Sequence, residues 1–504
     1  MQNDKRFYGL PEMTMLLYTE EQIRAIDCCA IKTTQDGAYG LMQKAAKAVF
    51  HRMQARWPET RQLIVCCGFG NNGGDGWLLA HQAQLVGIKT QVWVSDGKLP
   101  KSAEALRARE LALASGVVEH IFSLGENLPK TDLVIDALFG VGLRSAPDAK
   151  STALIDAINR QAAPVLSIDI PSGLDADRGS ALGACVRANV TVTLIRHKRG
   201  LWTGYGPVCA GSVDLETLET DSSCAEGLSG VSVRCVGAQD VKAALKPRLV
   251  NAHKGHHGHV LVIGGGIGMG GAALLAASAA ARVGAGWVSV ATRSEHVGAI
   301  LSAQPELMVL GVEQAHDIDL LLARASVIAL GPGLGQSAWA QQLFEHALHT
   351  QRPVVIDADA LNWLAKKPVH RSATTVLTPH PGEAARLLEC SVADIEHDRY
   401  QAALMLAHRY QAVVVLKGAG TIIATAQEKL SVCPVAYAGM ASAGMGDVLT
   451  GVIAGLIAQG LSVEQAAEVG VWVHAHAALR AGGSLPRGLM ASDVIRCLPM
   501  EVNP

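Results

Sequence analysis

Four aspartates stand where a folded chain can put them to work. Asp75 closes the loop G-F-G-N-N-G-G-D-G (68–76), Asp136 lies in L-V-I-D-A-L-F-G-V-G-L-R, Asp169 in S-I-D-I-P-S-G-L-D, and Asp447 in A-G-M-A-S-A-G-M-G-D-V-L-T-G. An acid inside an apolar run is expensive to bury unless it is paired or hydrogen-bonded. Asp136 and Asp169 end such runs and each precedes a glycine loop, the place where open α/β sheets bind ligands. They read as site residues, with a structural hydrogen-bond acceptor as the alternative for either one. Gly140 to Arg144 adds flexible backbone and a guanidinium suited to phosphate. Gly68, Gly70 and Gly73 satisfy G-x-G-x-x-G, and Asp96 follows the next apolar run. That spacing is a dinucleotide fingerprint, or else an ordinary strand-to-helix turn. Asn71, Asn72 and Asp75 set amide carbonyls and a carboxylate where a pyrophosphate needs bare N–H groups. Such a loop welcomes a cation or a ligand hydroxyl and repels an anion.

In the second half, Gly444 and Gly446 leave N–H groups free where a helix begins, a position whose dipole favours an anion. Asp447 is then either a general base beside a phosphate or a stabilising acid of the first helical turn. G-P-G-L-G (331–335), D-A-D-A-L-N (357–362), T-P-H-P-G-E (378–383) and K-G-A-G-T (417–421) all follow apolar strand candidates. So many glycine turns on one sheet edge exceed what folding needs. Lys417 and the N–H groups after it can hold a nucleotide's phosphates. The looser G-x-G-x-x-G from Gly266 to Gly271 is expected at the substrate edge of the same cleft. His253, His256, His257 and His259 cluster in a turn before a strand, without an acidic or cysteine partner nearby. Zinc needs three or four converging ligands, so these are expected to be solvent-exposed imidazoles.

The elements that must position these residues read as strands alternating with helices, the pattern of parallel sheets with crossovers. Strands are expected at Leu63–Cys67, Thr90–Ser95, Leu133–Leu138, Val165–Ile170 and Val190–Ile195, with a helix over Trp77–Val86. In the second half they are expected at His259–Ile263, Trp287–Ala291, Val327–Leu330, Val354–Asp357, Thr375–Leu377 and Ala412–Leu416. The polar, aperiodic stretch from Leu215 to Gly237 places a domain boundary near residue 225. At 504 residues two to four domains are expected; with 49% hydrophobic and 17% charged residues the core is large and long disorder excluded. The 43 Lys and Arg against 45 Asp and Glu leave a formal charge of −2, which exerts no pull on nucleic acid or anionic lipid. The 11 cysteines are odd in number and contain no C-x-x-C, so reduced, mostly buried thiols are expected. The opening M-Q-N-D-K-R-F-Y has no apolar run of signal-peptide type. The greasiest stretch, Val448 to Ala458, falls short of the ~20 residues a bilayer requires. A soluble cytoplasmic protein is expected.

G-N-N-G-G-D-G, D-A-L-F-G-V-G-L and D-I-P-S-G-L together resemble the NAD(P)H-hydrate epimerase family. The resemblance implies a Rossmann-like three-layer sandwich with a potassium ion near Asn72, Asp136 and Ser172. It implies a substrate held by Asn71, Asn72, Gly73, Gly74 and Asp75, by Gly140, Val141, Gly142, Leu143 and Arg144, and by Asp169, which also assists catalysis. The family's K-P-G reads Lys198-Arg199-Gly200 here. H-K-G-x-x-G, G-P-G-L-G, T-P-H-P-G-E-A-A-R-L-L, K-G-A-G-T and G-M-G-D-V-L-T-G resemble the NAD(P)H-hydrate dehydratase family, whose fold is ribokinase-like. That likeness implies substrate contacts at Ala272, Gly333, His380 and Asp447, with Asp447 as general base. It also implies nucleotide contacts at Lys417, Gly418, Ala419, Gly420, Thr421 and Gly446, with magnesium and ADP as co-substrate. Ala443 departs from the family's usual glycine.

The motifs run from about Glu20 to Asp493, in the order bifunctional enzymes use. An α/β chain with an epimerase domain over 1–225 and a dehydratase domain over 226–504 is therefore expected. It would act on NADH hydrate and NADPH hydrate, assemble as a homo-oligomer, and bind neither nucleic acid nor membrane. A ribokinase-like small-molecule alcohol kinase with an N-terminal binding module is the alternative. It leaves Asn71 to Asp75 and Asp136 without a task. A non-enzymatic binding protein is free to lose Asp169 and Asp447, and both are present.

Overall fold

The computed structural model describes residues 15–369 and 374–503. The opening M-Q-N-D-K-R-F-Y lies outside the described residues. A short strand, β1 (Met15–Leu17), comes first. Six more expected and unexpected strands then build a sheet with β2: β2 (Gln62–Cys67), β3 (Lys89–Val94), β4 (Val118–Ile121), β5 (Leu133–Ala137), β6 (Val165–Ile168), β7 (Val190–Leu194) and β8 (Ser212–Glu216). The order β4-β3-β2-β5-β6-β7-β8 is parallel throughout. A parallel sheet is covered on both faces, and β2 shows it residue by residue. Leu63, Val65 and Cys67 join one buried cluster, while Ile64 and Cys66 join another on the opposite face.

The second sheet contains β9 (Val233–Cys235), β10 (His259–Ile263), β11 (Trp287–Thr292), β12 (Met308–Gly311), β13 (Val327–Leu330), β14 (Val354–Ile356), β15 (Thr375–Leu377), β16 (Val413–Leu416), β17 (Thr421–Ala424) and β18 (Leu430–Cys433). Their order is β9-β18-β17-β16-β15-β14-β13-β10-β11-β12. The run from β12 to β16 is parallel, whereas β17 pairs antiparallel with both β16 and β18. The compact units divide between Ser232 and Val233, beside the expected boundary near 225.

Two expectations need correction. Cys29 and Cys224 form a disulfide, so not every thiol is free; it ties the helix Glu20–Thr33 to a 3-10 turn over Ser222–Ala225. His259 is buried and bonds Ser289 Oγ at 2.8 Å, because β10 is covered on both faces. His253 and His256 are exposed.

Both sheets reverse their strand order at one strand: β2 lies between β3 and β5, and β10 between β11 and β13. Crevices at such switch points open at the carboxyl ends of the strands, where the chemistry-bearing loops emerge.

Candidate functional site

At the end of β2 the chain turns sharply into the helix Asn71–Leu85. Gly68 N–H donates to Ala137 O at 3.0 Å, which locks this turn to the exit of β5. A Cβ on Gly68 would lie 1.8 Å from Leu138 O, and one on Gly73 2.0 Å from Gly68 O. Two backbones therefore touch where only glycine fits. Beside them opens a cavity of about 540 Å³, lined among others by Asn71, Asn72, Asp75, Gly140 to Leu143, Asp169 and Lys198. Gly73 and Gly74 lie behind the lining, Gly74 against Met42. Arg144 also stands outside it, 76% exposed and 3.5 Å from Glu20.

Asp136 is fully buried and hydrogen-bonded on both oxygens. It accepts from Ser167 Oγ at 2.7 Å, Ser172 N at 2.9 Å, Ser172 Oγ at 2.5 Å and Leu138 N at 3.3 Å. Burial raises its pKa against the pull of these bonds. Asn72 stands nearer the cavity, its buried Nδ2 without a partner among the described residues. Asp169 takes a left-handed backbone, φ +67°, uncommon for a residue with a side chain. Its Oδ1 accepts from Leu194 N at 3.1 Å and forms an ion pair with buried Lys198. The Lys198 ammonium spends its other donors on Thr193 Oγ1 at 3.1 Å and Leu194 O at 2.6 Å. Burial, then Asp169 and Asp27, push the Asp75 carboxyl well above the usual range.

In the second unit the loops after β10 and β13 zip together, with Gly265 N–H on Pro332 O at 3.0 Å and Gly266 N–H on Gly333 O at 2.6 Å. A Cβ on Gly333 would lie 2.9 Å from that of Ala272, so these two expected substrate positions meet. Across the sheet edge, Lys417 Nζ donates to Asp357 Oδ1 at 2.7 Å and has Glu383 Oε2 at 3.8 Å. Thr450 Oγ1 donates to Asp357 Oδ2 at 2.7 Å. Burial pushes Asp357 up, yet Lys417 and the hydroxyls of Thr450 and Thr378 outweigh it and hold the pKa low. Gly446 brings bare backbone to this pair, its Cβ position 3.2 Å from Lys417 Nζ.

Gly444 starts the helix Met445–Ala458 from a left-handed φ of +87°, and Asp447 follows in the first turn. The Asp447 side chain is half-buried and has no hydrogen-bond partner among the described residues. Burial and then Asp357 push it up to about 7, against the pull of Lys417. Burial also raises Glu383 to about 7. His380 caps the helix Pro381–Leu388 through the N–H groups of Gly382 and Glu383. In the turn Gly418-Ala419-Gly420-Thr421, Gly420 N–H donates to Val435 O at 3.4 Å, and Thr421 Oγ1 to Gly418 O at 3.1 Å. Part of that turn's hydrogen bonding is therefore spent within the fold. The Ala443 methyl is exposed.

Sequence reasoning missed Asp27, Asp357 and Glu383 as members of these sites. Asp27 carried a legible signal: it sits four residues after buried Ile23 on an amphipathic helix, an acid on the apolar face. Among the described residues, no group of three or more His, Cys, Asp and Glu side chains is arranged to hold a metal ion. No described helix is long and apolar enough to cross a membrane.

The family described as NAD(P)H-hydrate dehydratase matches residues 260–499, and the YjeF-related protein N-terminus matches residues 38–200. A bifunctional NAD(P)H-hydrate repair enzyme of Coxiella burnetii is 44% identical over 97% of this chain and 100% of its own length. Its namesake from Escherichia coli K12 is 42% identical over 92% of this chain and 90% of its own. The crystal structure of a ribokinase-like superfamily protein from Enterococcus faecalis is 27% identical, with a TM-score of 0.50, covering 55% of this chain and 98% of that one. With two switch-point sites on two α/β units and relatives matched end to end, the chain belongs to the family of bifunctional NAD(P)H-hydrate repair enzymes.

Proposed function

We propose that the chain returns hydrated nicotinamide nucleotides to NADH and NADPH, the unit before Val233 epimerising R and S hydrates and the unit after it dehydrating the S form. The observation that carries the reading is Asp447, an unpartnered carboxylate at a helix start beside Lys417 and the bare backbone of Gly446. Hydroxide leaves poorly, so the ring hydroxyl is first phosphorylated by ADP, releasing AMP, and phosphate is then eliminated. Asp447 takes the hydroxyl proton as general base. Lys417 and the Gly446 amide face the transferred phosphoryl, while Ala272, Gly333 and His380 hold the hydrate.

Magnesium offsets phosphate charge when bound. It needs just one or two carboxylates beside the phosphates, and Glu383, whose Oε2 lies 3.8 Å from Lys417 Nζ, offers one there. In the first unit Asn72, Asp136 and Ser172 supply oxygens of neutral or single charge, a donor set that suits potassium. The orphaned Asn72 amide supports it, since an amide turned about its axis aims the oxygen where the nitrogen now lies. Potassium adds fixed positive charge at the end of β5. A cytoplasmic homo-oligomer completes the proposal.

Incubation with hydrated NADH and ADP tests it: reduced-nicotinamide absorbance returns as phosphate is released. An alcohol kinase instead yields a phosphorylated product and no absorbance. Because the ionised Asp447 is the active form, kcat/KM for dehydration should rise about tenfold per pH unit below about 7 and level off above it. A profile flat from pH 5 to 8 contradicts that role.

A further inference from the structure

Asp27 lines the epimerase cavity beside Arg24 of its own helix, and faces Asp75, Asp169 and Lys198 from other elements. Asp169 and Lys198 flank β7, whereas Asp27 projects from the helix Glu20–Thr33. The two carboxylates differ in how they are held. Asp169 is tied through Oδ1 to Lys198 and Leu194 N–H, and its Oδ2 has no hydrogen-bond partner among the described residues. Asp27 has none on either oxygen among the described residues. Burial and then Asp169 push Asp27 up to about 6, against Lys198 and Arg24.

Inversion at carbon six imposes a matching demand. The hydroxyl leaves from one face of the ring and water returns to the other, so a proton must be given on one face and taken on the other. A single carboxylate cannot do both within one passage.

We propose that Asp27 is the second acid–base catalytic residue of the epimerase, working opposite Asp169 across the nicotinamide ring. The inference rests on the epimerase reading of this cavity. As the C6–O bond breaks, its electron pair leaves with oxygen, which takes the Asp27 proton and departs as water. The ring nitrogen's lone pair forms the C=N bond of an iminium ion. Water then adds to carbon six from the other face, its proton passes to Asp169, and the nitrogen recovers its lone pair. Each passage leaves the pair with protonation exchanged, ready for the reverse direction, or reset by proton exchange with solvent. No oxidant or reductant is needed.

The test uses the intact protein with each purified epimer of NADH hydrate in ¹⁸O-water, the spontaneous rate subtracted. Wild type should invert each epimer and gain one labelled oxygen per inversion. D27N should invert roughly 10²- to 10⁴-fold more slowly. It should still label the one epimer whose hydroxyl faces Asp169, since Asp169 can expel and readmit water on its own side. D27E keeps the acid and should recover part of the inversion. Wild-type kcat/KM should fall as pH rises beyond about 6, as the pair facing Asp75, Arg24 and Lys198 loses its last proton.

D27N inverting at near the wild-type rate overturns the proposal. So does loss of labelling in both epimers, which makes Asp27 structural. A wild type that inverts neither epimer while dehydrating the S form sinks the epimerase reading, and this proposal with it.

Discussion

Asp447→Asn should abolish nearly all dehydration while leaving epimerisation at the wild-type rate. The substitution is close to isosteric and keeps an oxygen on the first turn of the helix Met445–Ala458. It removes the one group there that can accept the ring hydroxyl's proton. A positioned acid–base group contributes about 10² to 10⁴ in rate, and turnover should fall by that factor. ADP should bind as well as before or better. Lys417 and Gly446 are untouched, and a carboxylate next to the phosphate site is gone. The pH dependence gives a sharper criterion: the rise toward about 7 should vanish with the carboxylate that causes it. Steady-state dehydration and nucleotide titration on one preparation decide the matter. A variant that dehydrates normally makes Asp447 a helix-start acid, and one that merely loses ADP makes it a phosphate- or metal-holding residue.

That Asp447 could be singled out from sequence, while its neighbours could not, has a physical basis. A glycine loop running into an apolar helix is a local pattern, and so is an acid at the end of an apolar strand. Asp357 and Glu383 lie in D-A-D-A-L-N and T-P-H-P-G-E, which were legible as loops. Their ion pairing with Lys417 spans 60 residues for Asp357 and depends on the register of β14, β15 and β16. The same limit applies to strands. Central strands such as V-V-V-L in β16 are continuous apolar runs because both faces are covered. The edge strands β4 and β12 are half exposed: β4 reads V-E-H-I, without an apolar run, and β12 reads M-V-L-G, apolar but four residues long and lacking the buried pattern of a central strand. The antiparallel hairpin of β17 and β18 was hidden because T-I-I-A follows a glycine turn that looked like ligand loop alone. Cys29–Cys224 has a separation of 195 residues and no local signature.

Asp136 tests whether an acid in an apolar strand serves structure, chemistry or both. In Asp136→Ala four donors lose their acceptor at once: the hydroxyls of Ser167 and Ser172 and the N–H groups of Ser172 and Leu138. Each buried donor left unsatisfied costs about 1–3 kcal/mol, less wherever water enters. The loss spans the exits of both β5 and β6, so a drop of several kcal/mol in the first unit's stability should accompany loss of epimerase activity. Dehydration should continue.

Alanine alone therefore cannot separate scaffold from cation, but Asp136→Asn can. Its amide oxygen at the Oδ2 position still accepts from Ser167 Oγ and the Ser172 N–H, and the Ser172 hydroxyl can rotate to accept from the new NH₂, so only the Leu138 N–H loses its acceptor. The scaffold survives at a cost of about 1–2 kcal/mol, while the negative charge is gone. If Asp136, Asn72 and Ser172 hold potassium, this variant should melt near wild type yet lose most of its activation by potassium. Epimerisation measured in potassium and in a large organic cation, beside a melting curve of the same sample, reads both effects. Wild-type potassium activation in Asp136→Asn would remove the cation from this site and leave Asp136 as the hydrogen-bonded post that joins two loops.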